Sequence, residues 1–367
     1  MKVNYSYLHQ QFNDIDKHLN DIRLLVKSTE FTFGKYVNKF ENEFSKFLNI
    51  KHTIGMNNGT DALILSLKSL NIKKEDEVIT VCNTFYATVG AIVAVGAKPV
   101  FVDSDERYQM NVENIENKIS KKTKAIIAVH WGGSPCDIIK IQKLCKKYKI
   151  YLIEDACPAT GAEVNNKKCG TFGIVNAFSM HPLKPLHVWG DGGAIATNNT
   201  KINNFIRTYQ NHGMRNRDNI EFWGINNRLQ PFQAIIASRV LKKVNNYIKQ
   251  RNEVAKLFDK YLSELDGYIK VPERPKEYKE AYQLYIISVK NRNRLIKYLH
   301  SNNIECKIHY PIPLHLQKPG MKLGYKKGDF PIAERQAKEI ITLPCHQYLN
   351  KNQIFYTIEK IINFYKK

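Results

Sequence analysis

Three short segments of the 367-residue sequence combine residue types that could do chemistry. The first follows the apolar run HTIGM and contains Gly59 and Thr60, which open a helical pattern. Free backbone N–H groups, a hydroxyl and the positive end of a helix dipole together suit a phosphate group. Asn, Thr and Asp are also ordinary helix caps, so this segment taken alone favours capping.

The second segment is the acidic pair Glu154-Asp155, which ends the apolar run Tyr151–Ile153. Ligands bind at the carboxyl ends of strands in parallel α/β sheets, so a carboxylate there is well placed for function, although it could also cap a loop. The third segment contains Lys184, between an apolar run and the glycine-rich turn Gly190–Gly193. A lysine in an apolar setting can act as an amine nucleophile, and a solvated surface position is an equal alternative.

Together the three segments predict a site for pyridoxal phosphate. The aldehyde of this cofactor bonds to a lysine, its pyridinium nitrogen needs a carboxylate, and its phosphate needs an anchor. Lys184, Asp155 and the pair Gly59-Thr60 supply these three groups. Phe85 follows another strand-like run and could stack on the pyridine ring, although a core phenylalanine would show the same pattern.

The elements that must position these residues alternate strand-like and helical patterns along the first three-quarters of the chain. This alternation predicts an α/β domain with a mainly parallel sheet. The predicted strands are His52–Met56, Glu77–Val81, Pro99–Val102, Lys124–Val129, Tyr151–Glu154, Ile174–Phe178 and Gly193–Thr197. Apolar residues recur at three and four positions in the helices predicted at Asp61–Leu70 and Ile138–Tyr148.

The last third of the chain has a different character. A long basic helical pattern, two strand-like runs and a closing helix follow one another at Ala234–Tyr261, Tyr282–Val289, Ile304–His309 and Gln353–Phe364. We therefore expect a large cofactor-binding domain over residues 1–245, which includes an N-terminal arm. A smaller C-terminal α+β domain is expected over residues 246–367.

The composition excludes several classes of protein. The 56 Lys and Arg residues against 34 Asp and Glu give a net charge of +22, but they are dispersed without a basic tail, which argues against a nucleic-acid partner. No run reaches the ~18 apolar residues of a membrane helix, and the first residues lack the apolar core of a secretion signal, so we expect a cytoplasmic protein without a membrane partner. The seven cysteines form no CxxC pair, which favours reduced thiols and no metal site.

The sequence resembles the DegT/DnrJ/StrS family of pyridoxal-phosphate-dependent nucleotide-sugar aminotransferases. This resemblance implies the aspartate aminotransferase fold, which is fold type I of the enzymes that use this cofactor. The matching motifs occur in order along nearly the whole chain, at Glu30–Gly34, Gly59–Leu63, Gly96–Asp103, Glu154-Asp155, Phe178–Lys184, Gly190–Gly193, Gly224–Arg228, His309–His315 and Leu343-Pro344.

By this resemblance, Lys184 forms the Schiff base with the cofactor and later carries the proton, and Asp155 partners the pyridinium nitrogen. The cofactor contacts that the family implies are Gly59, Thr60, Phe85, Asp155, Ser179, Lys184 and Asn226. The residue that matches Asn226 reaches the phosphate of the neighbouring subunit in this family. A homodimer with a shared active site is therefore expected.

The family usually transfers an amino group from glutamate to the keto group of a nucleotide-linked deoxysugar, in the biosynthesis of a surface polysaccharide or glycan. Candidate substrate contacts in this chain are His181, Arg228, Tyr310 and His315. Guanidinium groups grip carboxylates and diphosphates bidentately, which adds Arg207, Arg215 and Arg217 as further candidates.

Three residues depart from the family pattern. Pro158 stands where Gln or His is usual, Thr160 where His is common, and Pro185 where Asn is usual. These changes leave the lysine and the aspartate in place but alter the groups that tune the cofactor. A non-catalytic or regulatory member of the same fold is the alternative function.

Overall fold

The computed structural model describes residues 1–13 and 15–366. Its strands in chain order are β1 (His52–Met56), β2 (Glu77–Val81), β3 (Lys98–Val102), β4 (Thr123–Val129), β5 (Tyr151–Asp155), β6 (Glu163–Val164), β7 (Lys167–Lys168), β8 (Val175–Ser179), β9 (Gly193–Thr197), β10 (Met214–Asn216), β11 (Asn219–Ile220), β12 (Ile269–Lys270), β13 (Tyr278–Lys279), β14 (Tyr285–Val289) and β15 (Ile340–Leu343).

The α-helices are α1 (Leu8–Gln11), α2 (Ile15–Ser28), α3 (Gly34–Leu48), α4 (Gly59–Ser69), α5 (Tyr86–Ala94), α6 (Ile138–Tyr148), α7 (Thr200–Tyr209), α8 (Pro231–Leu241), α9 (Val244–Leu262), α10 (Arg292–Ser301), α11 (Lys318–Lys322), α12 (Pro331–Glu339) and α13 (Lys351–Lys366). Within the described ranges, no helix is long and apolar enough to cross a membrane.

A seven-stranded sheet in the order β1-β9-β8-β5-β4-β2-β3 forms the centre of the fold. Strand β9 runs antiparallel to β1 and β8, and the remaining neighbours pair in parallel. The α/β class with a mainly parallel mixed sheet is therefore confirmed. The carboxyl ends of β5 and β8 lie side by side, which brings Asp155 and Ser179 to the same edge of the sheet.

The predicted strands of this sheet agree with the structure to within one residue at each end. The predicted bounds of β1, β2 and β9 are the observed ones. These runs are easy to recognise because the sheet is covered on both faces, so its strands are almost continuously apolar and buried.

Two predictions further along the chain need correction. The helix predicted at Ala234–Tyr261 is broken into α8 and α9 at Lys242 and Lys243, where the Lys243 N–H donates to the Val240 carbonyl in a tight turn. Neither glycine nor proline marks this break in the sequence. The strand predicted at Ile304–His309 is reduced to isolated bridges, because Ile304 pairs only with Val3 and Lys307 only with Thr342.

Helix α9 contributes side chains to two hydrophobic clusters. Val244 and Ile248 at the start of this helix pack in the cluster around the large sheet, whereas Val254 and Phe258 pack in a second cluster beside β14 and β15. The second cluster also contains Val3 from the N-terminal arm. The division into residues 1–245 and 246–367 falls within α9, and we retain it as a proposal.

Candidate active site

The amino end of α4 forms a cradle next to the end of β8. The Asn58 side chain caps this helix by accepting the N–H of Asp61 at 2.8 Å. A Cβ atom on Gly59 would lie 2.9 Å from both the Cys157 Sγ and the Ser179 Cβ. Only glycine therefore allows the helix to begin this close to Ser179.

This cradle offers several donors in one place. The first-turn N–H groups of Gly59 and Thr60 have no partner within the helix by position, and the Ser179 side chain lies beside Gly59. Such a set suits the phosphate of pyridoxal phosphate, with the helix dipole adding to the attraction. The structure thus brings together the three residues predicted to bind the phosphate.

Lys184 lies in a turn shortly after β8, where its backbone N–H donates to the His181 carbonyl at 2.8 Å. Burial lowers the pKa of the Lys184 amine, while Cys157 and Asp155 act in the opposite direction because they lie close to it. A lysine with a lowered pKa is more often neutral near pH 7, and a neutral amine is nucleophilic. Lys184 therefore shares one site with Asp155.

Asp155 is buried at the end of β5 and is held at both carboxylate oxygens. The Thr88 Oγ1 donates to Oδ2 at 2.7 Å, and the backbone N–H of Cys157 donates to Oδ1 at 3.2 Å. A carboxylate has about four lone-pair sites, so Asp155 can accept a further hydrogen bond from a protonated ring nitrogen. Thr88 is a residue that the sequence prediction missed.

Glu154, the other member of the acidic pair, has a different environment. Its fully buried carboxylate accepts the N–H groups of Gly170 and Gly173, each at 2.7 Å, and also that of Phe172. The His130 Nε2 lies 2.8 Å from the same carboxylate. Glu154 therefore organises the loop after β7, and Asp155 alone of the pair reaches Lys184.

The residues around Phe85 form an aromatic group at the edge of the sheet. Phe85 is 41 % exposed, and its ring centroid lies 4.0 Å from that of Tyr86 and 6.5 Å from that of Tyr310. Tyr310 in turn contacts Trp131 at 5.4 Å between centroids. An exposed phenylalanine ring fits a stacking role, which a core residue could not perform.

Two histidines lie close enough to Lys184 to respond to its charge. Burial, assisted by Lys184 and Lys307, lowers the pKa of His309 to about 4. Partial burial and the nearby Lys184 also lower the pKa of His181. Both imidazoles are therefore neutral at pH 7. His309 was missed as a site residue, although it stands next to the predicted contact Tyr310.

The candidate arginines have different surroundings. Arg207 is paired with Glu41 at 2.8 Å and donates to the Thr53 carbonyl, so its role is structural. The Arg228 Nε donates to the Asn226 side-chain oxygen at 2.9 Å, on an exposed loop. Arg215 and Arg217 are exposed on the hairpin formed by β10 and β11.

The structure does not bring His315 to the group around Lys184. Its fully buried ring places Nε2 at 3.0 Å from the Glu334 carboxylate and packs 4.8 Å from the Phe330 ring. These contacts show that His315 is a packed residue, and they argue against the substrate contact expected from the sequence. The departures Pro158 and Thr160 are both buried beside the strand end that carries Asp155.

The N-terminal arm supports the lysine turn. The Tyr7 hydroxyl donates to the Leu183 carbonyl at 3.0 Å, and the Gln11 amide donates to the Pro182 carbonyl. Arg251, which is fully buried, donates to the Tyr7 hydroxyl at 2.8 Å. No local pattern in the sequence indicates these bonds, because their partners are far apart in the chain.

Comparison with known proteins identifies the family. The model of the DegT/DnrJ/EryC1/StrS aminotransferase family matches residues 13–362. The chain belongs to this family. It is therefore a sugar aminotransferase, and pyridoxal phosphate is its cofactor. Among the described residues, no group of three His, Cys, Asp or Glu side chains is arranged to hold a metal ion.

Two curated relatives cover almost the entire chain. A pleiotropic regulatory protein from Geobacillus stearothermophilus is 37% identical over 346 residues, which are 93% of this chain and 92% of the relative. The dTDP-3-amino-3,6-dideoxy-alpha-D-galactopyranose transaminase of Aneurinibacillus thermoaerophilus is 34% identical over 338 residues, or 92% of each chain. Both matches include the segments that form the site.

Solved structures confirm fold type I. DesV from S. venezuelae, solved in complex with a ketimine intermediate, is 29% identical and superposes with a TM-score of 0.95 over 100% of this chain and 99% of DesV. NtdA from Bacillus subtilis, solved with bound cofactor PMP, is 26% identical with a TM-score of 0.94 over 100% of this chain and 86% of NtdA.

Proposed function

We propose that this enzyme transfers an amino group from an amino acid, with L-glutamate as the first candidate, to the 3-keto group of a nucleotide-linked deoxysugar. The observation that carries this proposal is the grouping of Lys184, Asp155 and the Gly59 cradle at one edge of the sheet. The choice of carbon 3 and of a nucleotide-linked sugar is supported by the Aneurinibacillus relative, which is a transaminase named for a dTDP-linked 3-amino sugar.

The residues of the site have separate roles in binding the cofactor. Pyridoxal phosphate, when bound, supplies the electron sink that makes the α-proton of the donor removable. Gly59, Thr60 and Ser179 would hold its phosphate, Phe85 would cover its ring, and the Asp155 carboxylate would keep its nitrogen protonated. These roles follow from the donors and the carboxylate that the site presents.

Lys184 would act as the base that removes the α-proton of the donor and delivers it to the aldehyde carbon of the cofactor, on the other side of the transferred nitrogen. The lowered pKa of the amine favours this role, because a base must be unprotonated at the working pH. His181 lies in the same turn, and His309 lies close enough to Lys184 to respond to its charge. Both can donate or accept hydrogen bonds at the substrate without adding a second positive charge.

We also propose a homodimer. Large apolar side chains are exposed next to the residues with site roles, since Tyr86 beside Phe85 is 67 % exposed and Trp223 near Asn226 is 87 % exposed. Ile225 is 47 % exposed on the same loop. Exposed apolar patches of this kind mark protein interfaces. A partner subunit covering them would place Asn226 at a shared site.

A cytoplasmic location and a role in surface polysaccharide or glycan biosynthesis complete the proposal. Both are supported by the substrate class, because nucleotide-linked sugars are activated donors for glycan assembly. The dispersed charge of +22 gives no support for a nucleic-acid partner. A basic surface could instead steer anionic substrates towards the site.

The decisive experiment incubates the cofactor-loaded protein with glutamate and a panel of dTDP- and UDP-linked 3-keto and 4-keto sugars. Mass spectrometry then detects the amino sugar together with 2-oxoglutarate. We expect turnover with a 3-keto sugar and none with Lys184→Ala, which should also lose the visible absorbance of the bound cofactor. Turnover by Lys184→Ala at the wild-type rate would contradict the assignment of Lys184.

A regulatory role is the second candidate, and it is favoured by the similarity to the pleiotropic regulatory protein of Geobacillus stearothermophilus. The same experiment separates the two functions. A protein that shows the visible cofactor band but transfers no amino group to any sugar in the panel, and forms no 2-oxoglutarate from glutamate, would support the regulatory reading. Turnover with any of these sugars would exclude a purely non-catalytic role.

A further inference from the structure

The Thr88 hydroxyl lies against the carboxylate that is proposed to partner the cofactor nitrogen. Thr88 is fully buried in the first turn of α5, and its Oγ1 is 2.7 Å from the Asp155 Oδ2. Strand β4 separates β2 from β5 in the sheet. The start of the helix that follows β2 therefore reaches across a neighbouring strand end to contact Asp155.

The direction of the hydrogen bonds can be assigned from the number of protons. An ionised carboxylate only accepts, so the single hydroxyl proton of Thr88 is used in the bond to Asp155. Thr84 Oγ1 lies 3.2 Å from Thr88 Oγ1, and Thr84 must then be the donor in that pair. The result is a buried relay from Thr84 through Thr88 to Asp155, in which each bond strengthens the next.

The relay comes from the same turn as the stacking residue. Phe85 stands between Thr84 and Thr88 and caps α5, and the Thr88 N–H donates to the Phe85 carbonyl at 3.1 Å. The buried threonines therefore fix the exposed Phe85 ring and the Asp155 carboxylate relative to each other. The segment from Thr84 to Thr88 therefore positions both the Phe85 ring, which would stack on the cofactor, and the Asp155 carboxylate, which would accept a hydrogen bond from the cofactor nitrogen.

We propose that Thr88 is a positioning residue for the reaction, which holds the Asp155 carboxylate in a single orientation towards the cofactor nitrogen. The backbone N–H of Cys157 fixes only one of the two oxygens, at 3.2 Å. Loss of the Thr88 hydroxyl would leave the other oxygen buried without this donor. A carboxylate that loses a hydrogen bond in a buried site is less stable in its charged form.

The test compares Thr88→Val, which keeps the shape of the side chain, with Thr88→Ser, which keeps the hydroxyl. Thr80→Val is the matched control, because Thr80 is also fully buried in this sheet but its hydroxyl donates to the Ile127 carbonyl at 3.1 Å. Three quantities are measured: the dissociation constant for pyridoxal phosphate, the pH midpoint of the visible band of the bound cofactor, and kcat with glutamate.

We expect Thr88→Val to weaken cofactor binding and to lower kcat, each by about tenfold, as for the loss of a hydrogen bond to a charged group. The pH midpoint should rise, because a less cationic ring withdraws fewer electrons from the Lys184 nitrogen. Thr88→Ser should restore all three quantities to within about threefold or a few tenths of a pH unit, and Thr80→Val should match the wild type.

Two results would overturn the proposal. One is an unchanged pH midpoint and dissociation constant in a folded Thr88→Val protein. The other is an equal shift in Thr80→Val, which would reveal a general packing effect. Both spectroscopic quantities depend on the cofactor and not on the sugar. A failure of the proposed 3-keto substrate would therefore leave this test intact.

Discussion

Glu154 and Asp155 are neighbours on β5, yet they lie on opposite faces of the sheet and have opposite surroundings. Glu154 accepts three backbone N–H groups and lies against His130, so its oxygens are saturated by the fold. Asp155 accepts one hydroxyl and one backbone N–H, and it lies close to the Lys184 amine. Alternation of side chains along a strand separates the two carboxylates completely.

Glu154 is a structural carboxylate, whereas Asp155 is available for chemistry. Three backbone donors and a histidine leave Glu154 with no lone pair to offer a ligand. Asp155 keeps acceptor capacity on the side where the phosphate cradle and the lysine meet. The two residues should therefore fail in different ways when they are changed.

The largest expected effect is on catalysis by Asp155→Asn. An amide cannot hold a positive charge on the cofactor nitrogen, so kcat should fall by at least about 100-fold, a loss typical of a missing electrostatic contact in an active site. The free energy of unfolding should change by no more than about 1 kcal/mol, since an amide oxygen can still accept hydrogen bonds. Steady-state kinetics and urea denaturation measure both, and activity above a tenth of the wild type would contradict the role.

Glu154→Gln should show the reverse behaviour. Both oxygens of the Glu154 carboxylate accept N–H groups, whereas the glutamine amide has one oxygen that accepts and one NH2 group that would face a donor. Breaking such a buried charge cluster costs about 3–5 kcal/mol of unfolding free energy. The remaining folded protein should bind pyridoxal phosphate with an unchanged dissociation constant. Glu113→Gln is the control, because the Glu113 side chain is 79% exposed in its pair with Lys140. Equal destabilisation by both changes would remove the contrast.

Two buried histidines near Lys184 make the stability of the fold depend on pH. Burial lowers the pKa of His187 to about 3 and that of His309 to about 4, so the folded protein takes up these protons only in strong acid, whereas the unfolded chain takes them up near pH 6.5. Stability is therefore complete above pH 6.5 and is lost as pH falls towards 4. Each histidine should remove about 2 kcal/mol between pH 6.5 and pH 5.

Urea denaturation at several pH values measures this slope. His187→Gln should reduce it by about one proton, because the group that titrates differently in the two states is gone. His187 contacts the Lys184 carbonyl at 3.3 Å through Nδ1, so the change reports on the support of the turn that carries Lys184. A slope that does not change in the variant would show that His187 has the same pKa in the folded and unfolded states, and would contradict the effect of burial.

Much of the site could be predicted from the sequence, because its parts are local. Each strand of the central sheet is a continuous apolar run, and the cradle, the aspartate and the lysine each follow such a run. The parallel order of the strands then gathers their carboxyl ends. Lys184 and Asp155 are predicted in this way without any knowledge of contacts, and the structure places them close to each other.

The remaining parts could not be predicted because they depend on pairs that are distant in the chain. Thr88 looks like an ordinary residue of an apolar helix until its hydroxyl is placed next to Asp155. The opposite error affects His315, whose sequence neighbours suggest a site but whose ring is enclosed by Glu334 and Phe330. Burial and partners decide such roles, and single-sequence patterns do not contain them.

The smallest expected effect lies in the N-terminal arm. Gln11→Met removes the hydrogen bond to the Pro182 carbonyl, two residues before Lys184, and should lower the free energy of unfolding by about 1 kcal/mol. Gln10→Met is the control, since Gln10 is exposed in the same helix and should change stability by less than about 0.5 kcal/mol. Urea denaturation and kcat are measured for both. A single neutral hydrogen bond accounts for at most about a tenfold change in kcat. A larger fall in Gln11→Met would contradict a purely structural role of the arm like that of Glu154, and would group the arm with Asp155 among the residues that act on catalysis.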